Sequence, residues 1–433
     1  MKLSALDGTA FDVIVCGAGS AGIAASVGAA RLGASTLLVE RYGFCGGASA
    51  AAAVHSLDAI RNCRDTSKRV VAGVAADLLD ELRSIGGMAI ADNAPETLVV
   101  HPEHLKVAGD RLLKRAGVRV LYHTLVVDTI TDHNRAAGVE AALRDGRARL
   151  RARVVVDATG DGDVAFFAGV PFTVDPGLQA LTHWFRIGKL RGDRNWREWE
   201  DVCRAAMQDA FRLGEIRVFG GPWVIRLAAG EITLNTTRVY GNPVDPAALT
   251  AAEMDAREQV LAIFEALRRR VPGLEESYIL CGATQLHVRE SRIIAGEYVL
   301  TEHDVLNQAR FGDAIGLGAW PIDIHPTDGF VGVHPHKENP PAPYEIPYRC
   351  LVPLGVENLL VAGRPISTTH RAHGSTRVQG TSFATGHAAG IAAALCAAGG
   401  IAPRRVDTGE LRSRLLDQGA IVSLDPQSSA EVG

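Results

Sequence analysis

Phe11-Asp-Val-Ile-Val-Cys-Gly-Ala-Gly-Ser-Ala-Gly22 constrains this chain more than any other stretch. Val13 to Cys16 read as a short buried strand, followed by Gly17, Gly19 and Gly22 in G-x-G-x-x-G spacing. An alanine-rich helix is expected up to Gly33, then a second strand, Thr36-Leu-Leu-Val-Glu40, that ends in an acid. Gly17 permits the tight turn, Gly19 lets backbone approach a pyrophosphate, and Gly22 lets the helix lie close on the sheet. The helix N-terminus, with Ser20 and Ala21, offers unpaired N–H groups to phosphates. Glu40 comes roughly 20 residues after the glycines, where a carboxylate can accept from ribose hydroxyls. A lone glycine triplet is weak evidence, but strand, glycines, helix, strand and acid in this order predict a dinucleotide site.

With 433 residues the chain exceeds one ordinary core and suggests two domains or three. Its 47% hydrophobic and 22% charged residues describe a globular protein. A formal charge of −4 gives no reason to expect nucleic acid or an anionic membrane as partner. The seven cysteines are scattered without any C-x-x-C, which argues against zinc, iron–sulfur ligation and a disulfide framework and fits a cytoplasmic location. Val13 to Gly17 is too short and glycine-interrupted for a signal peptide. Phe383 to Ala402 is apolar but contains His387 and four glycines, so a buried helix and turn are expected there, not a membrane span.

Past the first β-α-β unit, Arg41-Tyr-Gly-Phe-Cys-Gly-Gly-Ala-Ser49 forms a second glycine turn. Residues 65 to 92 carry Val70, Val74, Leu78, Leu79 and Leu82 at helical spacing, and His104 to Gly117 is another helix. Arg119 to Tyr122 reads as a strand. Val126 to Ile130, Gly138 to Arg144 and Arg147 to Val156 predict three antiparallel strands with a hairpin at Arg144-Asp-Gly-Arg147. From about 166 the pattern changes. Phe172 to Ile187, Gly221 to Leu227 and Glu231 to Thr237 alternate like strands, Trp196 to Leu213 and Ala251 to Arg270 are amphipathic helices, and all five tryptophans fall in this block. Gly332 to Pro343 is a proline-rich return loop. Tyr348 to Val352 and Leu359 to Ala362 then read as strands, and Ser382 to Ala398 as a helix.

Four segments together resemble the FAD-dependent oxidoreductases of the fumarate-reductase and glutathione-reductase superfamily, flavoproteins with two dinucleotide-binding domains. They are Asp12 to Arg41, Gly46-Gly47-Ala48, Ala158-Thr159-Gly160, and Asn358-Leu-Leu-Val-Ala-Gly363-Arg364 with Gly386-His-Ala-Ala-Gly390. Val288 to Tyr298, Trp320 to His325 and Tyr344 to Pro353 are similar to one branch of that family whose members often lack an assigned substrate. The resemblance implies non-covalent FAD on an α/β fold: a discontinuous Rossmann-like FAD-binding domain over 1–165 and 345–424. An α+β substrate or cap domain is inserted over 166–344, and the tail 425–433 is disordered. It also implies that Arg41 leans on the adenine and that Arg364 and Arg377 bring positive charge to the phosphates or the reduced flavin. The helix starting near Ser382 would aim its N-terminus at the flavin pyrimidine. Some relatives bear a covalent flavin link near His55, but the intervening residues do not match. No second glycine fingerprint marks a resident NAD(P)H domain, and Cys45 lacks the partner of a redox pair, so it is expected only to pack near the flavin.

The flavin does the hydride chemistry, and protein must position substrate and supply an acid or base. His325 is the first candidate because imidazole titrates near neutral pH. Arg289 and Arg292, three apart and on one face if the segment is helical, would clamp a carboxylate or carbonyl oxygen. Of His370 and His373, after the Gly363-Arg364 turn, His373 is the one expected to face substrate. His334 and His336 read as loop histidines, and no metal site is expected. The expected activity is hydride transfer between a small organic substrate and flavin. A flavin monooxygenase using transient NAD(P)H and a non-catalytic flavin-fold binding protein are the alternatives. A homo-oligomer is compatible with the sequence, and the electron acceptor stays open.

Overall fold

The computed structural model describes residues 10–89, 92–325 and 342–424. The proline-rich segment, with His334 and His336, lies largely outside the described residues, as do residues 425–433.

Ala10–Cys16 is almost continuously apolar because it is buried between parallel neighbours, Thr36–Val39 on one edge and Gly146–Asp157 on the other. Arg119–Leu121 extends the parallel sheet beyond Thr36–Val39. The 12-residue strand Gly146–Asp157 serves two partners along one edge. Its first half pairs antiparallel with Arg135–Leu143, which in turn pairs with Leu125–Asp132, and its last three residues take Leu359–Val361 in parallel. The C-terminal part of the chain thus completes the sheet begun at residue 10.

Two helices cover this sheet at close range. Ser20–Arg31 and Gln379–Gly399 cross on small residues: a Cβ on Gly386 would stand 2.2 Å from the Ala21 carbonyl oxygen, and one on Gly390 would stand 2.0 Å from that of Ala25. Their apolar residues, the strand Ala314–Gly318 and its antiparallel partner Tyr344–Pro347 share one core. Gln379–Gly399 is long and apolar enough to cross a membrane by composition, yet 78% of its most apolar window is buried inside the protein. It is the core helix of this layer.

A second core lies between residues 185 and 274. Four antiparallel strands, in the order Trp223–Ile225, Glu231–Asn235, Phe185–Gly188 and Tyr278–Gly282, are backed by the helices Trp196–Arg212 and Pro246–Arg270. Trp199, Cys203, Ala206, Met207 and Ala210 recur at helical spacing and form the buried stripe of the first. Asn195 starts that helix through a capping box with Glu198. Asp245 and Pro246 start the second, five residues before the hydrophobic pattern begins at Ala251.

Several expected elements shift for local reasons. The helix expected over 65 to 92 is confined to Val74–Ser84, because Gly73 enters at φ +62° and the preceding residues are tied as turns. Tyr348 to Val352 is not a strand: Pro347 ends the strand Tyr344–Pro347, and Tyr348–Leu351 coil into a 3₁₀ turn. Phe172 to Ile187 contributes only Phe172–Thr173 and the start of Phe185–Gly188. The helix expected from Ser382 begins at Gln379, where Gly380 packs with its Cα side against the Ala59 carbonyl. Arg289 and Arg292 do not share a helical face, since residues 288–292 form no helix and lead into the short strand Ile293–Ile294.

Candidate active site

One continuous cavity runs from the first glycine turn to the second core, enclosing about 2070 Å³ of space between atoms with its open mouth included. At its first end the glycines are sterically required. Gly17 has φ +98°, and a Cβ there would lie 2.4 Å from the Ala158 carbonyl oxygen. A Cβ on Gly47 would lie 2.7 Å from the Gly19 Cα, so two glycine turns face each other with only backbone between them. Ser20–Arg31 starts at Gly19 without a side-chain cap, which leaves its first N–H groups without an intrahelical acceptor beside the cavity. Gly17, Gly19, Ser20, Ala21, Gly47 and Ala48 line this end. Gly22 and Gly46 do not. Gly22 lets the helix close on the Gly17 carbonyl, and Gly46, at φ +114°, donates its N–H to the Ala18 carbonyl at 2.8 Å.

Glu40 lines the cavity but also ties the turn together. Its carboxylate accepts from the Ala18 N–H at 2.7 Å and from the Tyr42 N–H at 2.9 Å, leaving its remaining lone pairs for a ligand. Arg41 reaches Gln285 at 2.8 Å and stands 5.0 Å from the Tyr42 ring centre. Cys45 sits behind the wall, its Sγ 3.6 Å from the Lys106 carbonyl, and burial pushes its thiol up to about 12. His55 is also off the wall. It contacts the Thr233 hydroxyl at 3.3 Å, and burial lowers its imidazole to about 3.

The opposite wall comes from Ala158, Thr159 and Gly160, with Gly363 and Arg364 beside them. Asp157 is fully buried and accepts from the N–H groups of Thr159 and Ala165, which fixes the turn; burial raises its carboxyl to about 6. Arg364 pairs with Asp161 at 2.8 Å, and Asp161 also accepts from Ser291. Gln379, absent from the sequence expectations, joins the parts. Its carboxamide oxygen accepts from Ser20 at 3.1 Å and Ser49 at 2.8 Å, and its nitrogen donates to the Ser56 carbonyl at 2.8 Å. A glutamine opening an apolar helix was the available signal.

The far end is built from the second core and the segment before residue 326. Trp184, Trp223 and Trp320 give it apolar walls, and Arg289, Asp323, His325 and Arg377 line it. Arg377 donates to the Asp323 carboxylate and to the Asp323 carbonyl, each at 3.0 Å. The His325 Nε2 stands 3.3 Å from the Asp323 carboxylate, and its Nδ1 is 3.4 Å from an Arg238 Nη. Burial, with Arg289 next, holds the His325 imidazole well below the ordinary histidine range, so it is neutral at pH 7. Arg238 was missed in the sequence, although a charged residue three positions past the strand Glu231–Asn235, within the buried run 232–239, is a detectable anomaly.

Arg292 and His373 are not on the cavity wall. Arg292 pairs with Asp163 at 2.8 Å and lies 4.2 Å from the Phe166 ring centre, away from the cavity wall that Arg289 joins. His373 is buried in the helix His370–Thr376. His370 pairs with the buried Glu290 at 2.7 Å, and that hydrogen bond raises its imidazole despite burial.

The sequence model of the FAD dependent oxidoreductase family matches residues 12–415. No curated protein sequence matches. Among solved structures, a flavin-dependent brominase triple mutant is 14% identical with a TM-score of 0.50, over 94% of this chain and 84% of the brominase. A geranylgeranyl bacteriochlorophyll reductase-like protein from Thermoplasma acidophilum is 12% identical with a TM-score of 0.49, over 94% and 83% of the two chains. The p-nitrophenol 4-monooxygenase of Pseudomonas putida DLL-E4 is 13% identical, also at 0.49, over 94% and 83%. Likeness at these identities concerns the fold alone. The paired glycine cradle, which any Cβ would fill, and the uncapped helix start fit an extended dinucleotide, and the family match covers both. The chain belongs to the FAD-dependent oxidoreductase family and is an enzyme whose cofactor is FAD.

Proposed function

We propose that the enzyme exchanges a hydride between a small organic substrate, held at the tryptophan-lined end of the cavity, and non-covalently bound FAD. One observation carries this reading: a single cavity joins the glycine cradle to the far end without an intervening wall. When bound, FAD supplies the hydride acceptor or donor. Ser20, Ala21 and the Gly17, Gly19 and Gly47 backbone hold the pyrophosphate, while Glu40 and Arg41 border the adenosine. Ala158, Thr159, Gly160, Gly363 and Arg364 bound the middle of the cavity, and Gln379 fixes the start of the core helix against both glycine turns.

At the far end Trp223 and Trp320 exclude water, and Arg289 and Arg377 orient the substrate. His325 handles the proton. A proton reaching its ring is shared with Asp323 across 3.3 Å, and Arg377 keeps that carboxylate in place. Anaerobic mixing tests the reading: the yellow FAD-loaded protein should bleach with an alcohol or amine as hydride donor, or, once chemically reduced, regain its colour with an unsaturated acid as hydride acceptor. His325→Asn should slow bleaching about 100-fold while FAD stays bound. Joint consumption of NAD(P)H and oxygen with substrate hydroxylation, without anaerobic bleaching, would mark a monooxygenase instead.

A further inference from the structure

Burying a guanidinium is costly unless an anion or a full set of acceptors offsets it. Arg289 is 2% exposed and Arg238 is 5% exposed. Both reach the hydroxyl of Thr182: Arg289 through Nη1, which also donates to the Ala180 carbonyl at 2.6 Å, and Arg238 through its own Nη1 at 3.3 Å. One hydroxyl therefore draws two like charges together. Among the described residues no carboxylate lies within ion-pair distance of either group. Asp323, the carboxylate whose field acts on both, is already engaged by Arg377 and His325.

The pair is held in place rather than left to relax. The Gln259 carboxamide clamps the Arg238 backbone from both sides, accepting from its N–H at 2.9 Å and donating to its carbonyl at 2.8 Å. Gly220 makes room for its guanidinium, since a Cβ there would come within 2.2 Å. The Trp223 ring lies 5.2 Å below the same group. Arg289 and Arg377 on the cavity wall, with Arg238 off the wall beside them, share the field of one carboxylate, Asp323, an arrangement that an anionic ligand completes. Burial lowers both Arg238 and Arg289 from the ordinary arginine range, and for Arg289 repulsion from Arg238 and Arg377 adds to it.

We propose that the substrate carries a carboxylate, and that Arg289, on the cavity wall and held through Thr182 beside Arg238, receives it. The inference rests on the far end of the cavity being the substrate end. It narrows the substrate class from small organic molecules to carboxylic acids whose reacting carbon lies a short apolar spacer away from the acid group.

The test uses the FAD-loaded protein and measures binding of acetate, succinate and benzoate, each against its neutral amide, by calorimetry and by perturbation of the flavin spectrum. At least one carboxylate should bind about tenfold or more tightly than its amide, as charge-assisted hydrogen bonds to guanidinium require. Arg289→Gln and Arg238→Gln should each remove most of that preference with FAD still bound. Equal affinity for every acid and its amide overturns the proposal. So does a preference that survives both substitutions, or an effect of the substitutions on the flavin spectrum and potential alone. The acid–amide comparison needs no variant, so it decides even if the variants do not fold. Failure of FAD to bind at all would instead count against the hydride-transfer reading.

Discussion

At the residue scale, the glycine cradle makes the sharpest demand. A methyl group on Gly47 would sit 2.7 Å from the Gly19 Cα, in the space where two backbones face the cavity. Gly47→Ala should weaken FAD binding about tenfold or more, read by quenching of flavin fluorescence on titration. A second residue-scale outcome concerns His370, whose imidazole is raised by its hydrogen bond to the fully buried Glu290. A raised histidine contributes stability that is fully present below its unfolded value near 6.5 and is lost as pH rises through the folded value. The melting temperature of the wild type should therefore exceed that of His370→Gln most at pH 6, and the gap should shrink above pH 7. A gap independent of pH would show that His370 acts through packing and not through charge. Residue identity was only partly legible in the sequence. The glycines that line the cradle could be read because steric demand leaves no other residue; Arg238 and Gln379 could not, because their roles depend on partners far away in the chain, such as Gln259 and Ser20.

At the element scale, the contact between Ser20–Arg31 and Gln379–Gly399 fixes the angle at which the core helix presents its N-terminus to the cavity. Gly390 sits where a Cβ would be 2.0 Å from the Ala25 carbonyl, and no side-chain movement can relieve a clash with backbone. Gly390→Ala should cost about 1–3 kcal/mol of stability, seen as a lower denaturation midpoint, and should weaken FAD binding as the helix start shifts. Asn195→Ala removes a capping box in the other core and should cost ~1 kcal/mol without altering FAD affinity. Element type was legible wherever periodicity was strong, as in Trp196–Arg212. It failed where backbone conformation, not pattern, decided the outcome. Gly73 truncated one helix, Pro347 turned an expected strand into a 3₁₀ turn, and the absence of helix over 288–292 separated two arginines that a helix would have aligned.

At the scale of the whole molecule, two cores share one cavity. The sheet begun at Ala10–Cys16 and completed by Leu359–Val361 carries the glycine turns, while the antiparallel sheet around Phe185–Gly188 brings Trp184 and Trp223 to the cavity. The cofactor was legible in four separated motifs. The chemistry of the far end was not, because Arg238, Arg289, Asp323 and His325 converge from segments without a common motif. On the proposed reading, the inert half of the cofactor rests on short, sterically forced sequences and substrate recognition on long-range packing. The most direct measurement is anaerobic photometry of the FAD-loaded protein against carboxylic acids that carry an oxidisable alcohol or amine, or a reducible double bond. At least one should exchange a hydride with the flavin and change its visible band, about tenfold or more slowly in Arg289→Gln with FAD retained. No change with any of them, together with oxygen-dependent NAD(P)H consumption, would contradict the account.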